Sequence, residues 1–184
     1  MPTRSLTVVF ANVALLFAAC SGSPTVAEVN GESITAADVN ALSAATPDEL
    51  FIPGEPFRDA LGLLIVNVAL RTAAEEQFGF DDLNDADRLA ARIADPPTAQ
   101  EVSAFRSIEA DPQLTRAFAE GAAENYTIRD AVVGQLATDE SQDESALDQI
   151  FFAWREQAVD ATEISVRSQV GIWGGLATGV LPPP

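Results

Sequence analysis

The chain has 184 residues, 47% of them hydrophobic, and a formal net charge of −18 at pH 7. All its basic residues are arginines and it has no histidine, which excludes Ser-His-Asp and Cys-His catalysis, histidine-ligated zinc, a P-loop and lysine Schiff bases, and leaves only carboxylates for acid–base work. The apolar content argues against global disorder, and the acidity predicts repulsion of nucleic acid and of anionic lipid headgroups.

Arg4 gives the chain a positive start, and Leu6 to Ala19 form an apolar run broken only by Thr7 and Asn12. That run is too short to span a bilayer, where about 20 apolar residues are needed. Its length and the small residues at its end fit a signal peptide. Phe17-Ala18-Ala19-Cys20 resembles the lipobox of bacterial lipoproteins, with Phe17 where leucine is usual. The resemblance implies cleavage before Cys20 and acylation of its thiol. Cys20 is the one cysteine of the chain, so no intrachain disulfide can form, and lipidation gives it a role. Ser21-Gly22-Ser23-Pro24-Thr25 is small and flexible, as a tether is. The expected organisation is a signal peptide over 1–19, a lipid-anchored tether over 20–25 and one folded domain over 26–184. The expected location is the extracytoplasmic side of the cell membrane.

Val26 to Asn30 alternates like a short strand, and Asn30-Gly31 is a tight-turn signal. Ser33-Ile34 leads into a helix with Thr35 as its N-cap and Asp38 at N3, running to about Ala45 before Thr46-Pro47 ends it. A long helix is predicted from Pro56 to Phe78, with Gly79 as its C-cap. Its first half, Leu61 to Leu70, is apolar nearly all round, which marks a helix buried on most sides. A shorter helix is predicted over 85–94, with Leu89, Ala90 and Ile93 as its apolar stripe. Thr98-Ala99-Gln100-Glu101 is a capping box that opens the next helix. Leu114 to Leu136 is predicted mostly helical, with Gly121 or Asn125 as the point of interruption. An acidic loop at 138–144 precedes an amphipathic helix over 145–159, with Leu147, Ile150, Phe151 and Trp154 on one face. Glu163 to Arg167 alternates as a strand, and Gly171-Ile172-Trp173-Gly174-Gly175 leads to a proline tail. Two lone strands at opposite ends are stable only when paired. The expected fold is therefore mainly α (α+β), with a small two-stranded sheet of residues 26–29 and 164–167 joining the two ends.

Val26-Ala27-Glu28-Val29-Asn30-Gly31-Glu32-Ser33-Ile34-Thr35-Ala36-Ala37-Asp38-Val39 resembles the start of the SurA N-terminal chaperone domain, shared with PrsA-like foldases and many lipoproteins. Ala60 to Leu70, with Ala74 and Phe78-Gly79, is similar to the long central helix of that family. Ile164 to Trp173 is similar to the closing strand and Gly-x-Trp segment of those lipoproteins. Complete foldases of this kind carry a parvulin domain of about ninety residues, which normally uses histidines. The place corresponding to it here holds only the acidic loop. The resemblance thus implies the chaperone module without its catalytic insert.

Asp81 to Asp87 fails the EF-hand pattern, since a loop begun at Asp82 has Ala86 at its fifth position and Asp87 at its sixth. Adjacent Glu75 and Glu76 do not face each other on a helix, so they make no acid–base pair. Asn125-Tyr126-Thr127 matches a glycosylation sequon by chance. The aromatic residues are first of all core candidates. Phe57, Phe151, Phe152 and Trp154 are also candidates to line a peptide-binding groove, and consecutive Phe151 and Phe152 cannot point the same way. The expectation is a non-enzymatic, membrane-tethered chaperone or binding module for unfolded or extended exported polypeptides, using no cofactor, metal or nucleic acid. The alternatives are a structural or assembly lipoprotein with one specific envelope partner and, behind it, a peptidyl-prolyl isomerase.

Overall fold

The computed structural model of the chain describes residues 23–43, 55–110, 116–138 and 143–184. Cys20 and the signal segment lie outside the described residues. In chain order the elements are β1 (Thr25–Val29), β2 (Glu32–Thr35), α1 (Ala36–Ser43), α2 (Pro56–Phe78), α3 (Ala86–Ala94), α4 (Ala99–Ala110), α5 (Arg116–Leu136), α6 (Glu144–Ala161), β3 (Ile164–Val166), β4 (Ile172–Trp173) and β5 (Val180–Leu181). The fold is mainly helical with small antiparallel sheets, the α+β class predicted from the sequence.

Strand β1 lies between β2 and β3. It pairs with β3 in the register Ala27↔Val166, Glu28↔Ser165, Val29↔Ile164, so the two end strands meet as predicted. The sheet has three strands where two were expected. Asn30 and Gly31 both take positive φ, +48° and +83°, the backbone of a two-residue hairpin turn. That turn folds Glu32–Thr35 back onto β1 before the helix begins. A second correction falls at the proline tail. Val180–Leu181 pairs with Ile172–Trp173 as a small hairpin, and β5 packs on α2. Gly171 allows this approach, because a Cβ there would stand 2.3 Å from the Leu181 carbonyl oxygen.

The helix ends are set by local chemistry. The Thr35 hydroxyl accepts from the Asp38 N–H at 3.3 Å while Asp38 accepts from the Thr35 N–H at 2.9 Å, closing the capping box. Gly79 is left-handed, and its N–H reaches the Glu75 carbonyl at 2.9 Å, ending α2 where predicted. Asp85 and Asp143 cap α3 and α6 by accepting from the N–H groups of Arg88 and Ala146. Helix α5 runs unbroken through Gly121 and Asn125. Its two weak points are tied to α2, where the Asn67 amide donates to the Gly121 carbonyl at 3.2 Å and accepts from Asn125 at 3.4 Å.

Helix α2 is the axis of the main core. Leu61, Ile65, Ala69 and Leu70 have no exposed surface, which accounts for most of the apolar run, whereas Leu63 stands exposed. Full burial of each such Leu or Ile side chain stabilises by about 1.5–3 kcal/mol. This core joins the three-stranded sheet, α1, α2, α5 and α6. A second, smaller cluster of Leu89, Phe105 and Ala123 holds α3 and α4 against α5.

Candidate functional site: an apolar groove between three helices

The second cluster does not close over. Between α3, α4 and the first half of α5 lies an open groove of about 780 Å³, walled by Ala90, Ile93, Val102, Phe105, Ile108 and Ala119. Its rim carries both signs of charge: Asp95, Arg106, Glu109 and Arg116. Polar groups tie the three helices together beside this apolar cluster. Arg92 of α3 donates to both oxygens of Glu101 on α4, at 2.6 and 2.8 Å, and to Asp130 of α5 at 2.6 Å. Its guanidinium also lies 5.9 Å from the centre of the Tyr126 ring, itself edge-on to Phe105 at 6.1 Å.

Glu101 is only 2% exposed, so its charge depends on that clamp. Thr98 adds to it, accepting from the Glu101 N–H at 3.2 Å and donating to the carboxylate at 3.1 Å. Burial alone would lower the Arg92 pKa, but its hydrogen bonds to Glu101 and Asp130 outweigh that and hold it above the ordinary arginine value. The groove is thus a fixed cradle whose floor is apolar and whose width is set by a buried ion pair.

A second network stiffens the base of the molecule. Arg71 of α2 is buried and bonds Glu32 of β2 and, at 2.9 Å, Glu124 of α5. Burial pushes the Glu124 carboxyl above its ordinary value despite Arg71 beside it, and burial likewise raises Glu75. On α5, Arg129 reaches Asp148 at 2.8 Å and also Glu144. Asp143 and Glu144, expected in a solvated loop, therefore serve as a cap and as an ion-pair partner. Among the described residues no group of three or more His, Cys, Asp or Glu side chains is placed to hold a metal ion.

The aromatic candidates separate. Phe151 is buried and stacks on Trp154 at 6.0 Å, and Trp154 is buried with its indole N–H donated to Gln77 at 2.8 Å. Both are closed off in the core, as is most of Phe57, which packs against the same cluster. Phe152 points away from it and is 54% exposed. None of the four lines the groove between α3, α4 and α5. Phe105, one of many aromatics in the sequence, does line it. Ile93 belonged to a legible helical stripe, but nothing in the sequence marked Val102 or Ile108, which sit on a helix with little amphipathic pattern.

No helix among the described residues is long and apolar enough to cross a membrane. No known protein family, curated protein or solved structure matches the chain.

Proposed function

We propose that this chain is a membrane-tethered, non-catalytic chaperone or binding module for exported polypeptides, resembling the SurA N-terminal domain without a parvulin insert. The observation that carries the reading is the open groove between α3, α4 and α5. An apolar floor with a rim of mixed charge suits an extended apolar segment with polar flanks. The lipobox-like segment ending at Cys20 supplies the anchor, through a tether of at most about 18 Å. Since β1 begins at Thr25, the three-stranded sheet would face the membrane and the helices would extend away from it.

The test is suppression of aggregation of an unfolded client by the soluble 21–184 fragment. Wild type is expected to suppress it, and Val102→Asp, which puts a charge on the groove wall, to suppress it much less while keeping its helical circular dichroism. No suppression together with no binding of apolar peptides overturns the proposal. A pull-down from the cell envelope that yields one stoichiometric folded partner, in place of many weak clients, replaces it with the assembly-lipoprotein reading.

A further inference from the structure

Among the described residues, the arginines follow one rule with a single exception. Arg58, Arg71, Arg92 and Arg129 are withdrawn from solvent, and each is held by at least one carboxylate. Arg88, Arg106 and Arg167 form no ion pair and are exposed. Arg155 of α6 is half-buried, forms no ion pair, and has its Nε closed off from solvent without an acceptor. Burial lowers its pKa, opposed only by neighbouring Glu156. In a chain with 28 acidic residues, a half-buried guanidinium with no carboxylate is a departure from the rest of the molecule.

Arg155 lines a cleft of about 300 Å³ between α2, α6 and the β4–β5 hairpin. The apolar walls are Leu63 and Val66 from α2 and Trp173, Leu176 and Val180 from the hairpin region. Arg58 and Asp59 are the other charged residues at the cleft, and Arg58 is engaged by Glu55. The surroundings are unusually apolar. Leu63, Phe152, Ile172 and Leu181 are the large hydrophobic residues left exposed among the described residues, and all four lie on the elements that build this cleft. Phe152 stands three residues before Arg155 on α6, and Ile172 and Leu181 are cross-strand partners on the hairpin.

We propose that this cleft binds a carboxylate carried on an apolar chain. The Arg155 guanidinium, which has no carboxylate partner within the protein, takes the ligand carboxylate, and Leu63, Trp173 and Leu176 take the apolar part. The volume is at the small end of ligand sites, about 300 Å³, so it admits one terminal residue or a short acyl chain. Two sources share this chemistry: the carboxyl end of a polypeptide with an apolar last residue, and a short fatty acid. The site is distinct from the groove between α3, α4 and α5 and does not rest on the function proposed for it.

The experiment titrates the full-length chain with N-acetyl-Ala-Leu bearing a free carboxylate, with its amide, with octanoate and with octanol, following the Trp173 indole resonance by NMR. At least one carboxylate is expected to shift that resonance saturably, and its neutral counterpart to bind at least tenfold more weakly. Response to the peptide acid alone assigns the site to polypeptide ends, and response to octanoate alone assigns it to acyl chains; either supports the proposal. Arg155→Met is expected to weaken binding at least tenfold with an unchanged or higher unfolding temperature, because it removes a desolvated charge. Leu63→Gln, at a half-exposed position, is expected to keep the fold and weaken binding several-fold. Absence of saturable binding by either carboxylate, equal binding of acid and neutral forms, or undiminished binding by folded Arg155→Met overturns the proposal. If Arg155→Met does not fold, undiminished binding by Leu63→Gln does so.

Discussion

Single residues in this chain often hold two structural tasks, and the Val-Asn-Gly-Glu segment is the clearest case. Val29 is fully buried on β1. Asn30 takes the left-handed turn and accepts from the Glu163 N–H at 3.0 Å, tying the turn to the start of β3. Glu32 reaches the buried Arg71. The segment that carried the family resemblance is therefore accounted for by the joining of the hairpin, α2 and the last strand. Glu101 is similar, being both the N3 acid of a capping box and the partner of Arg92. Removing one member of such a pair leaves the other buried and uncompensated, so Glu101→Ala should lose about 3 kcal/mol in urea unfolding. The double variant Arg92→Met with Glu101→Leu should recover most of that loss. A Glu101→Ala loss below about 0.5 kcal/mol, the size of an ordinary surface change, would refute the clamp. The capping half of this arrangement was legible, because Thr98 and Glu101 are three residues apart. The ion-pair half was not, because Arg92 lies across Pro96-Pro97 and Asp130 comes from another helix.

At the scale of elements, legibility followed length and local chemistry. Helix α2 was readable from end to end, since Pro56 and Gly79 mark its limits and its apolar run needs a buried position. The two-residue strands β4 and β5 give no periodic signal, and β2 was read as the lead into α1, so all three were missed although the Asn30-Gly31 turn and the alternation of β3 were seen. The break foreseen in α5 does not occur, because the Asn67 side-chain amide of α2 supports the helix at Gly121 and Asn125. Two glycines provide an opposed pair of tests. Gly134 lies within α5, exposed, with nothing within 4 Å of an added Cβ. Gly134→Ala should therefore stabilise by about 1 kcal/mol through helix propensity. A Cβ on Gly171 would meet backbone at 2.3 Å, so Gly171→Ala must move β5 off its place. It should cost about 2 kcal/mol, as overpacking does, and shift the amide resonances of Val180 and Leu181. Equal effects of the two substitutions on thermal unfolding would show that the hairpin is not packed as described.

The whole molecule carries a charge of −18, and its buried carboxylates add to the consequence. Burial raises the pKa of Glu124 above its ordinary 4.5, more than neighbouring Arg71 lowers it, so the folded state keeps that proton to higher pH than the unfolded chain does. A carboxyl raised in this direction favours the folded state at low pH, and its contribution is lost as pH rises through the folded value. Glu75 is shifted the same way, again chiefly by burial. General repulsion among the surface acids has the same sign, because protonation relieves it. The melting temperature should therefore rise as pH falls from neutrality towards the ordinary carboxylate range, against the trend of proteins whose carboxylates are stabilised as anions. Salt separates the two causes. Screening at 0.1 M acts over about 10 Å, so it weakens repulsion among exposed acids but hardly touches a buried carboxyl. Wild type should gain stability with added salt at pH 7 and keep part of its pH slope. Glu124→Gln, which can still accept from Arg71, should lose that remaining part. A melting temperature that falls as pH is lowered towards the ordinary carboxylate range, or a Glu124→Gln profile parallel to wild type in high salt, would show that the buried carboxyl is held as an anion and that Arg71 outweighs its burial.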